Sequence, residues 1–216
     1  MRISMLISVL SHIPIYATTG YSLFLYKRLP KELKIFSWFL LVTGLIQLLS
    51  LILALQSINN MPLLHLYVAL GFSFLCWFYA TVLRQFIDRR IVLVSGLLFL
   101  LFTLVNSIFF QDIFTFNSNA LTIESILIII LSLSTFMLFL NNAMTEGRRE
   151  LSTSLNWINS GLFIYYVSNL LIYYFGSVIT RSFSQSLNLY TWVFHSFFSV
   201  VMYLCFFIGL WKRPKT

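Results

Sequence analysis

The sequence predicts an all-α, polytopic membrane protein, a seven-transmembrane-helix bundle with its N-terminus outside and its C-terminus cytoplasmic. Three observations carry that reading. Only 9% of the 216 residues are charged, against 59% hydrophobic and a mean hydropathy of +0.90; soluble domains carry roughly 25% charged residues. Seven apolar runs approach or exceed the ~20 residues that span a bilayer. Twelve of the 14 basic residues fall in alternate connections.

Taken in order, the predicted helices cover residues 4–26, 33–55, 63–83, 91–110, 121–140, 154–175 and 188–211. The connections are short, so the chain reads as one transmembrane domain over 1–216. The first run extends too far for a signal-peptide core and reaches no A-x-A cleavage site, so it is expected to remain as a helix. Pro14 inside it removes a backbone donor and frees the carbonyl near Leu10. Pro30 and Pro62 stand at plausible helix boundaries.

Connections one, three and five and the C-terminal tail hold Lys27, Arg28, Lys31, Lys34, Arg84, Arg89, Arg90, Arg148, Arg149, Lys212, Arg213 and Lys215. The opposite side holds Arg2 and Arg181 alone. By the positive-inside rule the basic side is cytoplasmic, which with an outside N-terminus requires an odd number of spans. The net charge of +8 is thus a topological signal. No basic face interleaved with aromatics is present, and nucleic acid is not an expected partner. Cys76 and Cys205 are isolated within apolar runs and form no CxxC pair.

The most informative stretch is 156–175, NWINSGLFIYYVSNLLIYYF. It is apolar enough to span, yet carries Asn156, Asn159 and Asn169 among its tyrosines. An amide in hydrocarbon is costly unless bonded, so this face should point into a bundle. At about 100° per residue Asn156, Asn159, Tyr166, Asn169 and Tyr173 share one side. Depth along each helix places His65, Glu124, Asn169 and His195 in the outer half, with His12, Gln47 and Asn106. An outward-open polar pocket is therefore expected, with His65, Glu124, Tyr166, Asn169, Tyr173, His195 and Ser199 as candidate ligand contacts and Tyr67 and Tyr190 at its rim. Asn159 lies deeper and reads as interhelical glue. Glu146, Arg148, Arg149 and Glu150 read as a solvated cytoplasmic cluster, with Asn141 and Asn142 ending the fifth helix.

Specific chemistries are poorly served. His12, His65 and His195 could in principle make a three-imidazole metal site, but no HExxH or HxxxH spacing supports a metal-dependent hydrolase. The last helix has no lysine before Lys212, which excludes a retinal Schiff base. Neither a G-x-S-x-G elbow nor a phosphate-cradling glycine loop is present. No catalytic residue and no cofactor is assigned.

The segments LHLY at 64–67, TIESILIIILSLSTF at 122–136, NWINSGLFIYYVSNLLIY at 156–173 and LYTWVFHSFFSVV at 189–201 together resemble an uncharacterised seven-helix membrane family of Bacteroidota. Some of its members resemble the membrane module of sensor histidine kinases. The resemblance is most specific at Trp157, Ile158, Gly161 and Tyr165, and at the histidine following Trp192. Two places depart from the family pattern: Ala69, Leu70 and Gly71 stand where an acidic residue is usual, and Ser199 and Tyr203 replace asparagines. The resemblance implies a bacterial inner-membrane protein with a sensor-like, signal-coupling role; with few residues after Trp211, no output domain is expected there. Expected partners are the lipid bilayer, a small ligand from the outer side and a separate cytoplasmic or membrane signalling protein. Two further readings stand beside it: a small-solute or proton-coupled transporter using His195 and Glu124, and the intramembrane metalloenzyme.

Overall fold

The structure is a computed structural model describing residues 2–141, 149–182 and 184–214. The helices are α1 (Arg2–Leu25), α2 (Lys31–Leu55), α3 (Met61–Val82), α4 (Arg89–Val105), α5 (Ser118–Leu140), α6 (Arg149–Tyr174), α7 (Gly176–Ser182) and α8 (Gln185–Trp211). α4 continues into a π-helical turn, Asn106–Phe110. The described residues include no β-strand. Asn142, Glu146 and Arg148 lie outside the described residues.

Seven long helices match the seven apolar runs, and α8 is the predicted seventh. Local chemistry sets several ends. Pro30 caps α2, Pro62 occupies the first turn of α3 where its missing donor costs nothing, and Asp88 accepts from the Arg90 amide at the start of α4. The extra element, α7, falls where a plain connection was expected. It meets α6 at a bend of 51°, and Gly176 at that bend packs directly on the Phe116 ring, leaving no room for a Cβ.

Five helices are long and apolar enough to cross a membrane: Lys31–Leu55, Met61–Val82, Arg89–Phe110, Ser118–Leu140 and Ser186–Trp211. The bent pair Glu150–Tyr174 and Gly176–Ser182 supplies a sixth if taken as one broken span. α1 has the length expected of the first span, with Pro14 inside it.

The helices close into a ring. α1 packs on α2 and α8, α2 on α3, α3 on α5, α5 on α6, and α6 on α8. α4 lies outside the ring against α3 and touches α5. Its free face is aliphatic and open, with Leu97, Leu98, Leu101 and Leu104 all exposed; α2 likewise presents Leu45, Leu49 and Ile52. Broad apolar faces of this kind are what a bilayer covers. The interior is filled by Phe36, Phe72, Phe78, Tyr79, Tyr203 and Phe206.

Small residues set the closest approaches. On α6, a Cβ at Gly161 would lie 2.8 Å from Cys205 Cβ and 3.0 Å from the Met202 carbonyl of α8. One at Gly209 would lie 2.9 Å from the Ser154 carbonyl, and Ser154 Oγ donates to the Gly209 carbonyl at 2.6 Å. This is the small-residue packing expected where no hydrophobic drive separates helix from lipid.

In the half of the bundle nearer the basic loops, Tyr79, Ser132 and Asn159 tie three helices together. The Tyr79 hydroxyl bonds Ser132 Oγ (2.8 Å) and donates to Asn159 Oδ1 (2.9 Å). Asn159 Nδ2 donates to the Ser132 carbonyl (3.1 Å). The oxygen and the nitrogen of this buried amide are thereby both satisfied, whereas Asn156, expected on the same inward side, is exposed one turn nearer the basic loops.

Candidate functional site

A cavity of about 530 Å³ opens at the end of the bundle away from the basic loops. Its wall comes from the first half of α1 (His12, Ile15), the second half of α2 (Gln47, Ser50), the start of α3 (Leu64, Tyr67), the second half of α6 (Tyr165, Tyr173) and the first half of α8 (Trp192, His195, Ser199). Phe116 and Leu121 close the side next to α5. Helices that alternate in direction deliver these segments to one end. No Lys, Arg, Asp or Glu among the described residues lines the space. Aromatic and aliphatic side chains line it together with uncharged polar ones, Ser11, Asn60 and Ser196 among them, and its volume lies within the range of small-molecule sites.

His195 is held on that wall by its neighbour on α6. Its Nδ1 lies 3.0 Å from Asn169 Oδ1 on α6. Asn169 is fully buried and its Nδ2 donates to the Tyr165 carbonyl one turn back, at 2.8 Å. Three aromatic rings surround the imidazole: Tyr165 at 5.6 Å, Tyr173 at 5.8 Å and Trp192 at 5.6 Å between centroids. The hydroxyls of Tyr165 and Tyr173 bond each other at 2.5 Å. Spacing on α6 explains the assembly, because residues 165, 169 and 173 recur every four positions and so form one stripe.

Glu124 stands a layer behind the wall. Its side chain is 1% exposed, and the Tyr166 hydroxyl donates to Oε1 at 3.1 Å. Oε2 is buried and has no partner among the described residues. Tyr166 therefore faces α5 and Glu124, while its neighbour Tyr165 faces the cavity. Asn169 touches the cavity only through His195.

His65 shares the depth of this group but not its direction. From α3 it points to the C-terminal end of α4, with Nδ1 2.8 Å from Ser107 Oγ and Nε2 3.2 Å from the Thr115 carbonyl. Beside it, Asn106 Nδ2 donates to Gln111 Oε1 and Asn117 Oδ1, and Asn119 Nδ2 donates to Asn106 Oδ1. This amide cluster pins the 111–117 connection over the end of α4. Tyr190 is 71% exposed and does not reach the cavity.

Of the seven candidate contacts, the structure thus brings His195, Tyr173 and Ser199 to the cavity and sets Asn169 directly behind His195. Tyr166 and Glu124 form a pair one layer back, and His65 lies elsewhere. Sequence reasoning missed Tyr165 and Trp192. Tyr165 was detectable as the i−4 neighbour of Asn169, and Trp192 as the i−3 neighbour of His195. His12 and His195 both line the cavity, but among the described residues no three His, Cys, Asp or Glu side chains converge as a metal site would require.

No protein-family model matches the chain, and neither a curated protein nor a solved structure is significantly similar to it.

Proposed function

We propose that the chain is a seven-span inner-membrane protein, N-terminus outside, that binds a small molecule in the outward-facing cavity and couples its occupancy to helix packing as a sensor-like receptor. α1 and the bent α6–α7 pair complete the seven spans in this reading. The twelve-to-two partition of basic residues supports the orientation. The observation that carries the reading is the cavity itself, about 530 Å³ and walled by five helices and the start of α5. A ligand there touches α6 and α8 together, and these two helices share the close seam at Gly161 and Gly209. A ligand that prefers one spacing of that seam shifts the bundle between two packings, which is the required differential affinity. The signal then leaves through the basic loops to a signalling protein, in keeping with the sensor-like role that the resemblance to sensor-kinase membrane modules implies.

The test is ligand-dependent stabilisation of purified protein in lipid nanodiscs, screened against small amphipathic solutes. A true ligand raises the unfolding temperature of the wild type and raises that of Ser199→Trp less, because the indole takes up space one turn from His195. Equal shifts in both proteins, or none with any solute, reject the reading.

Transport is the second reading, and one observation favours it. Glu124 places an acidic group with an unpartnered oxygen one layer from the cavity wall, where a proton-coupled carrier would need one. Flux of a solute into proteoliposomes that is lost in Glu124→Gln would select this reading over the receptor.

A further inference from the structure

The cavity's polar anchor has a definite hydrogen-bonding sense. Asn169 Nδ2 is 2.8 Å from the Tyr165 carbonyl, an oxygen that can only accept, so the amide nitrogen must occupy that position and Oδ1 must face His195. Oδ1 also only accepts. His195 Nδ1, 3.0 Å away, must therefore carry the proton, and in a neutral ring the lone pair then resides on Nε2. No acidic side chain among the described residues bonds this ring, and Nε2 has no protein partner among them, yet it is not among the sealed, unpartnered atoms. The residue lines the cavity.

We infer that His195 presents Nε2 to the cavity as a hydrogen-bond acceptor, so that the ligand is a neutral molecule with an apolar, flat body and an O–H or N–H donor. The aromatic rings of Tyr165, Tyr173 and Trp192 around the imidazole supply the matching surface for that body. Among the described residues no Lys or Arg lines the wall, so these offer carboxylates and phosphates no counter-charge. The inference rests on the reading of the cavity as a ligand site and adds the class of ligand.

Two measurements on the full chain in nanodiscs test it. In ¹⁵N-histidine spectra, the resonances lost in His195→Gln should show a protonated Nδ1 and a bare Nε2. Asn169→Leu should shift the ring toward the other tautomer. A protonated Nε2 in the wild type overturns the inference and leaves the cavity reading standing. Binding of 1-naphthol, 1-methoxynaphthalene and 1-naphthoate is then compared, each referenced to empty nanodiscs. Naphthol should bind at least about tenfold tighter than the ether and the carboxylate, because only it satisfies the acceptor, and His195→Phe should erase that preference. An ether or carboxylate that binds as tightly as naphthol overturns the inference. Failure of all three to bind overturns it together with the cavity reading.

Discussion

Gly161 lies one turn before Tyr165 on α6, so the spacing of α6 from α8 at this glycine also sets the distance from the Tyr165 ring to His195. Gly161→Ala adds a methyl 2.8 Å from Cys205 Cβ, 3.0 Å from the Met202 carbonyl and 3.3 Å from Phe206 Cε1. A backbone carbonyl cannot rotate aside, so the helices must part, and overpacking of this kind costs about 1–3 kcal/mol. Replacing glycine within a helix also gains up to ~1 kcal/mol of intrinsic propensity, which would obscure the effect in isolation. Gly20→Ala on α1 is the matched reference, because a Cβ there meets nothing within 4 Å. Propensity then cancels, and the expected difference between the two variants is the full ~1–3 kcal/mol. The assay is reversible unfolding of both proteins in the same detergent–lipid mixture, followed by helicity. Equal stability of Gly161→Ala and Gly20→Ala would refute the argument that this seam is closed by glycine.

Asn159→Leu removes the bonds to Tyr79 and the Ser132 carbonyl. At ~0.6 to ~1.7 kcal/mol for each interhelical bond in a membrane, it should lower unfolding stability by about 1–3 kcal/mol. Ligand binding should be unaffected, since this network lies in the other half of the bundle; a variant of unchanged stability would contradict the role given to Asn159. Glu124→Gln keeps an oxygen to accept from Tyr166, whereas Glu124→Leu strands that buried hydroxyl. Thermal unfolding should rank Gln near or above the wild type and Leu about 1–3 kcal/mol below it; the reverse order would refute the packing described for Glu124.

The extents of the long helices were legible because each is an apolar run punctuated by polar or proline-containing breaks. Depth was legible too: residue counting put His12, Glu124, Asn169 and His195 at one end, and they lie there. Rotation about the helix axis was harder to read. Tyr165 and Tyr166 are equally polar and equally deep, and only the packing of α6 between α5 and α8 decides that one faces the cavity and the other Glu124. His65 has the right depth but turns toward Ser107 and Thr115, a preference created by the 111–117 connection folding back over α4. α7 escaped detection because GSVITRS has no periodic apolar face of useful length, and the contact of Gly176 with Phe116 is tertiary.

The central claim is that the cavity opens to the outside. It is tested most directly by Ser199→Cys in a background with Cys76 and Cys205 replaced by alanine. Applied to intact cells with a permeabilised outer envelope, a membrane-impermeant thiol reagent should modify position 199 from the outer side. A cysteine at the exposed, basic-side position Gln85 should react only after the inner membrane is opened. Modification of Ser199→Cys solely from the cytoplasmic side, or from neither side, would contradict the account.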